Sequence, residues 1–105
     1  MKYLVNALSL NMVSGFPAQL SIGEIPLSRA RTLAAECQSA VGHADTAAVF
    51  ADVLGIPVEA KRTTVEFFPN DTLIVGQYLG PRLPEGAKTL PGDAIIKWFI
   101  VTRHH

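Results

Sequence analysis

The stretch SAVGHADTAAVFADVLG, Ser39 to Gly55, sets a histidine, His43, between a glycine and the start of an apolar-periodic run. A helix N-terminus presents unpaired N–H groups and a partial positive charge, both of which suit a phosphate. An imidazole beside a bound phosphate can serve as general acid or base near neutral pH. The other two histidines, His104 and His105, end the chain and are set aside from the chemistry as a tag remnant.

Two arginines and a carboxylate extend this set. Arg62 falls in an alternating stretch and Arg82 in a loop rich in glycine and proline, with Glu85 three residues further on. A guanidinium offers a planar fork for phosphate oxygens, and Glu85 can orient it. Asn6, Asn11 and Gln77 interrupt apolar runs, with Ser9 nearby. Polar groups at strand ends either find internal partners or hydrogen-bond a ligand. The familiar alternatives are absent from the sequence: it contains no GxxxxGK[ST], no strand-following GxGxxG, no CxxC and no HExxH. These exclude the common phosphate loops and zinc motifs, so an enzyme built from these residues is expected to work without metal or cofactor.

Such residues need a frame. With 105 residues, one domain over 1–105 is expected. A hydrophobic fraction of 49% with 17% charged residues indicates a folded, rather apolar chain. So apolar a surface on so small a domain points to a homodimer. Nine basic and nine acidic side chains cancel, which argues against DNA and membrane surfaces as partners. No apolar run is long enough to span a bilayer. The single cysteine, Cys37, fits a small core residue in a reducing cytoplasm.

The pattern reads as an α/β domain with a mixed sheet. Lys2–Leu10 reads as a strand, Ser14–Pro17 as a turn and Ala18–Ile22 as a short strand. A helix is expected from Pro26 to Ser39, with Leu27, Ala30, Leu33, Ala34 and Cys37 on one face. A second helix is capped by Asp45 or Thr46 and closed by Gly55. Residues 58–68 alternate, and with PNDT and TLIVGQYL they predict a hairpin. Phe67, Phe68, Tyr78, Trp98 and Phe99 are expected in the core. Gly80–Asp93 is a long loop with three prolines and three glycines, and Ala94–Thr102 is a last strand. The sum is a sheet of about five strands, two helices and a long lid loop before the last strand.

Several stretches together resemble one family. YLVNALSLNM is similar to its N-terminal strand, SAVGHADT to its Ser-x-Gly-His-x-x-Thr segment, and KRTTVEF to a strand bearing a ligand-facing arginine. GQY and RLPEG are similar to its glutamine and its Arg-Leu-x-Glu-Gly loop. The family is the type III anti-CRISPR ring nucleases of viruses and phages, with relatives in bacterial genomes. The resemblance implies a homodimer that binds cyclic tetra-adenylate, the second messenger of type III CRISPR systems. Such proteins cut it without metal to linear products with a 2′,3′-cyclic phosphate, in the cytoplasm (the host's, if viral), and so switch the immune response off.

By this resemblance His43 is the general acid on the departing 5′-oxygen, Arg82 holds phosphate, and Glu85 positions Arg82 or the ribose. Asn6, Ser9, Asn11, Thr46, Arg62 and Gln77 bind sugar, base or phosphate. The ribose 2′-hydroxyl is its own nucleophile, so the protein must orient and stabilise rather than attack. Arg62 and Arg82, each presented twice in a dimer, match four phosphates. The chain departs from the pattern at Asp45, where a small hydroxyl residue is common, and in a residue inserted before RLPEG. The alternative reading is a sponge that binds a cyclic nucleotide without cutting it.

Overall fold

A computed structural model describes residues 1–104, and His105 lies outside the described residues. Five strands form one mixed sheet: β1 (Lys2–Val5), β2 (Leu20–Ile25), β3 (Gln38–Ser39), β4 (Thr72–Leu79) and β5 (Ile95–Arg103), in spatial order β2-β5-β4-β1-β3. Two helices, α1 (Leu27–Ala34) and α2 (Ala44–Leu54), accompany it. β1 runs parallel to both β3 and β4, whereas β5 pairs antiparallel with β4 and β2. The α/β class, the number of strands and the two helices agree with the sequence pattern, although β3 stands in place of one expected strand.

One core lies between the helices and the sheet. Ala30 and Ala34 of α1 and Ala47, Phe50 and Leu54 of α2 pack with Leu4, Ile74 and Trp98. Phe50 meets Trp98 edge to face, with centroids 5.0 Å apart. Both rings sit over Gly76, where an added Cβ would stand 2.6 Å from each. A second core on the other face gathers Val5, Leu73, Val75 and Val101 from the strands with Val65 and Phe67 from the chain that crosses them.

The elements differ from the sequence pattern at several places, each for a physical reason. β1 stops at Val5 rather than Leu10. The Ser9 hydroxyl accepts the Asn11 N–H at 3.3 Å and caps a 3-10 turn over Leu10–Met12, a local bond that competes with strand pairing. β2 covers Leu20–Ile25, later than expected, because it follows β5 in register up to Ile25↔Trp98. α1 ends at Ala34, not Ser39, because Gln38 and Ser39 pair with Tyr3 and Leu4. Of its expected face, Ala30 and Ala34 are buried, Leu33 and Cys37 half-buried, and Leu27 exposed.

The largest correction is the hairpin. Residues 58–68 form no strand of the sheet, and the strand-like pairing of this segment is confined to the isolated bridges Val41↔Ala60 and Val13↔Phe67. Its alternation is nevertheless used, since Val65 and Phe67 are buried while Thr64, Glu66 and Phe68 face solvent. The turn at its end does form: Asp71 accepts the Phe68 N–H at 3.0 Å. The chain then enters β4 between β1 and β5, so the segment before the turn finds no free edge of β4 to pair with. Phe68 is therefore not a core residue, and Tyr78 and Phe99 are only half-buried. His104 continues the sheet edge, its N–H bonded to the Gln19 carbonyl at 2.9 Å and its ring to the Ser21 hydroxyl.

Candidate active site

In open α/β sheets, ligands bind beyond the carboxyl ends of the strands. Here β1, β3 and β4 run parallel and end on the same side of the molecule. Asn6 follows β1, His43 follows β3 by four residues, and Gln77 lies near the end of β4. These ends and the loop after β4 enclose an open cleft of about 1040 Å³.

Six of the nine residues picked out from sequence line that cleft: Asn6, His43, Thr46, Gln77, Arg82 and Glu85. His43 is itself the N-cap of α2, in extended conformation (φ −116, ψ 132), and its carbonyl accepts the Ala47 N–H at 2.9 Å. Its imidazole makes no capping bond, which leaves the ring available to a ligand. The cap expected at Asp45 or Thr46 thus falls two or three residues earlier, at His43: both residues lie within the first turn, half-buried in the cleft wall. Gly55 closes the helix, as expected.

The other wall is the loop between β4 and β5. It carries Arg82 and Glu85, both exposed, with Leu83 half-buried between them. Tyr78 Oη donates to the Pro81 carbonyl at 2.5 Å, and the Gly86 N–H donates to Asp45 Oδ1 at 3.1 Å. Gly86 has φ +79, a conformation that L side chains rarely adopt, and an added Cβ would meet nothing within 4 Å. Glycine is needed there for the direction of the backbone rather than for space.

Ser9, Asn11 and Arg62 do not line the cleft. Ser9 and Asn11 bond each other in the 3-10 turn, on the sheet face away from the helices, where neighbouring Leu8 and Met12 pack. Arg62 is exposed but close by: its Cα lies 3.7 Å from where a Cβ on Gly42 would stand, directly before His43. Sequence reasoning missed Tyr78 and Pro84 as lining residues and gave Asp45 only a capping role. The glycines and prolines flanking Arg82 were the available signal for a braced loop. Among the described residues no three of His, Cys, Asp and Glu stand close enough to hold a metal ion. No helix among them is long and apolar enough to cross a membrane.

The comparisons agree with this architecture. The family model described as STIV B116-like matches residues 2–96. The fold is similar to that of B116 of Sulfolobus turreted icosahedral virus, with a TM-score of 0.81 and 23% sequence identity, over 96% of this chain and 97% of that one. No curated protein sequence matches the chain.

Proposed function

The chain belongs to the STIV B116-like family, and from that premise we propose that it is a metal-independent ring nuclease that opens cyclic tetra-adenylate. The observation that carries the reading is the meeting of His43, Arg82 and Glu85 in one cleft at a helix mouth. These are the residues that the resemblance to anti-CRISPR ring nucleases assigns to catalysis, and they come from two elements distant in sequence.

The chemistry follows from the groups. The α2 N-terminus and the Arg82 guanidinium attract a phosphate and stabilise the charge that builds on it in the transition state. The ribose 2′-hydroxyl gives up its proton to solvent and attacks that phosphorus in line, the 5′-oxygen departs, and His43 in its protonated form donates a proton to it. The products are a 2′,3′-cyclic phosphate on one side and a free 5′-hydroxyl on the other. Glu85 holds Arg82 or the ribose, while Asn6, Thr46 and Gln77 hold the sugar and base from the strand ends. Loss of the messenger would end the signal that activates its effector nucleases.

The resemblance to ring nucleases implies a homodimer as the functional unit. Exposed Ile22, Leu79 and Ile95 supply apolar surface for it. Ser9, Asn11 and Arg62 lie outside the cleft of the single chain.

The test is radiolabelled cyclic tetra-adenylate in EDTA with the parent protein and His43→Ala. Multiple turnover by the parent, with a ~10²–10⁴-fold slower rate and retained binding in the variant, is the expected result. Binding without turnover by both would make the protein a sponge, and binding by neither would overturn the reading.

A further inference from the structure

Asp45 is the residue for which the ring-nuclease pattern has no use. A carboxylate in a cleft that receives phosphate repels its ligand, yet Asp45 lines that cleft half-buried. It sits in the first turn of α2, where a negative charge suits the helix dipole. His43 rather than Asp45 is the N-cap of this helix, the position whose side chain would bond an N–H of its own first turn. Asp45 Oδ1 instead accepts the N–H of Gly86, 41 residues away, at 3.1 Å.

We propose that Asp45 is a positioning residue: it latches the loop after β4 to the mouth of α2 and thereby sets where Arg82 and Glu85 stand relative to His43. The catalytic consequence rests on the ring-nuclease reading, while the latch itself does not. The loop is held at two places. Tyr78 Oη grips the Pro81 carbonyl on the β4 side, and Asp45 grips Gly86 on the far side. Arg82, Leu83, Pro84 and Glu85 hang between these two holds. Beyond Glu85 the chain turns back, with the Ala87 N–H on the Pro84 carbonyl at 3.1 Å. The positive φ of Gly86 belongs to the same turn, so its N–H can reach α2. Pro81 and Pro84 stiffen the suspended piece, so a hold at each end fixes its course. Asp45 touches neither the scissile phosphate nor the ribose in this scheme. Its carboxylate is engaged with the loop, which accounts for an acid tolerated beside an anion site.

The experiment compares the full-length parent, Asp45→Ala and Asp45→Asn. The asparagine keeps an oxygen acceptor of the same reach, and the alanine keeps the helix. Two readouts are taken: hydrogen exchange of the Gly86 amide by NMR, and kcat and KM for cyclic tetra-adenylate. In Asp45→Ala the Gly86 amide is expected to exchange roughly 10-fold faster while the amides of β4 and β5 keep their protection. Its kcat falls about 10-fold with KM changed by less than about 3-fold, because the groups that act in the transition state have lost their placement. Asp45→Asn restores both. Unchanged Gly86 exchange in Asp45→Ala would overturn the latch. Tighter ring binding with faster cleavage in that variant would also overturn the proposal, since Asp45 would then act only as a repulsive charge. If the parent neither binds nor cuts the ring, the ring-nuclease reading fails, and the exchange arm still decides the latch.

Discussion

The two walls of the cleft are built differently. Asn6, His43, Thr46 and Gln77 project from the ends of elements that are anchored deep in the core: Val5 and Phe50 are 1% exposed, Val75 5%. Arg82 and Glu85 project from a loop whose backbone is held by one tyrosine hydroxyl and one aspartate. The first wall is placed by hydrophobic packing that the whole fold maintains. The second is placed by two hydrogen bonds at the surface, each of modest net worth. A cleft made this way can keep one wall fixed while Arg82 on the other is adjusted separately. Stability and activity should therefore separate cleanly by wall.

The strongest way to sharpen that contrast is to remove packing behind the fixed wall. Phe50→Ala deletes the ring that meets Trp98 and lies under α2, and should lower unfolding free energy by ~3–5 kcal/mol in a urea titration. Arg82→Ala, on the other wall, should stay within ~0.5 kcal/mol of the parent. Equal losses would erase the distinction.

Cys37 reports on the same framework. Burial pushes its thiol from the ordinary 9.0 up to about 11, although Lys2 acts in the opposite direction. At pH 8 iodoacetamide should then alkylate it about 100-fold more slowly in the folded protein than in urea, since the thiolate is the reacting form. The raised value also has a sign for stability. The folded state keeps the proton longer, so this contribution is intact below pH 9 and is lost as pH rises towards 11. Fast alkylation at pH 8 would mean that the region between α1 and β3 opens readily.

The smallest expected effect on the fold belongs to the loop. Gly86→Ala places a side chain at φ +79, a local cost of ~1–2 kcal/mol that a surface loop can relieve by moving. Its urea midpoint should match the parent's while the Gly86 amide loses protection. A lowered midpoint would show that the loop is integral to the core.

The sequence made the site legible before it made the fold legible. His43, Arg82, Glu85 and Gln77 were readable because their types are unusual for their surroundings: a histidine at a helix start, an arginine between prolines, a glutamine inside LIVGQYL. The strand at Thr72–Leu79 and the helix over Ala44–Leu54 were readable from their apolar period. The segment 58–68 misled because burial of alternate side chains and ladder pairing give the same period-2 pattern. Val65 and Phe67 satisfy it by packing on the sheet face, while both edges of β4 are taken by β1 and β5. β3 was hidden because two residues carry no period, and Gln38 and Ser39 pair only because β1 is beside them. The latch between Asp45 and Gly86 is long-range and leaves no local pattern at either end.

The most direct test of a two-walled site is a titration of ¹⁵N-labelled His43→Ala with cyclic tetra-adenylate, followed by amide shifts. The account predicts that Asn6, Thr46 and Gln77 on the fixed wall, together with Arg82, Glu85 and Gly86 on the loop, shift along one binding curve, with the β2 edge unmoved. Shifts confined to one wall, or centred on β2, would contradict it.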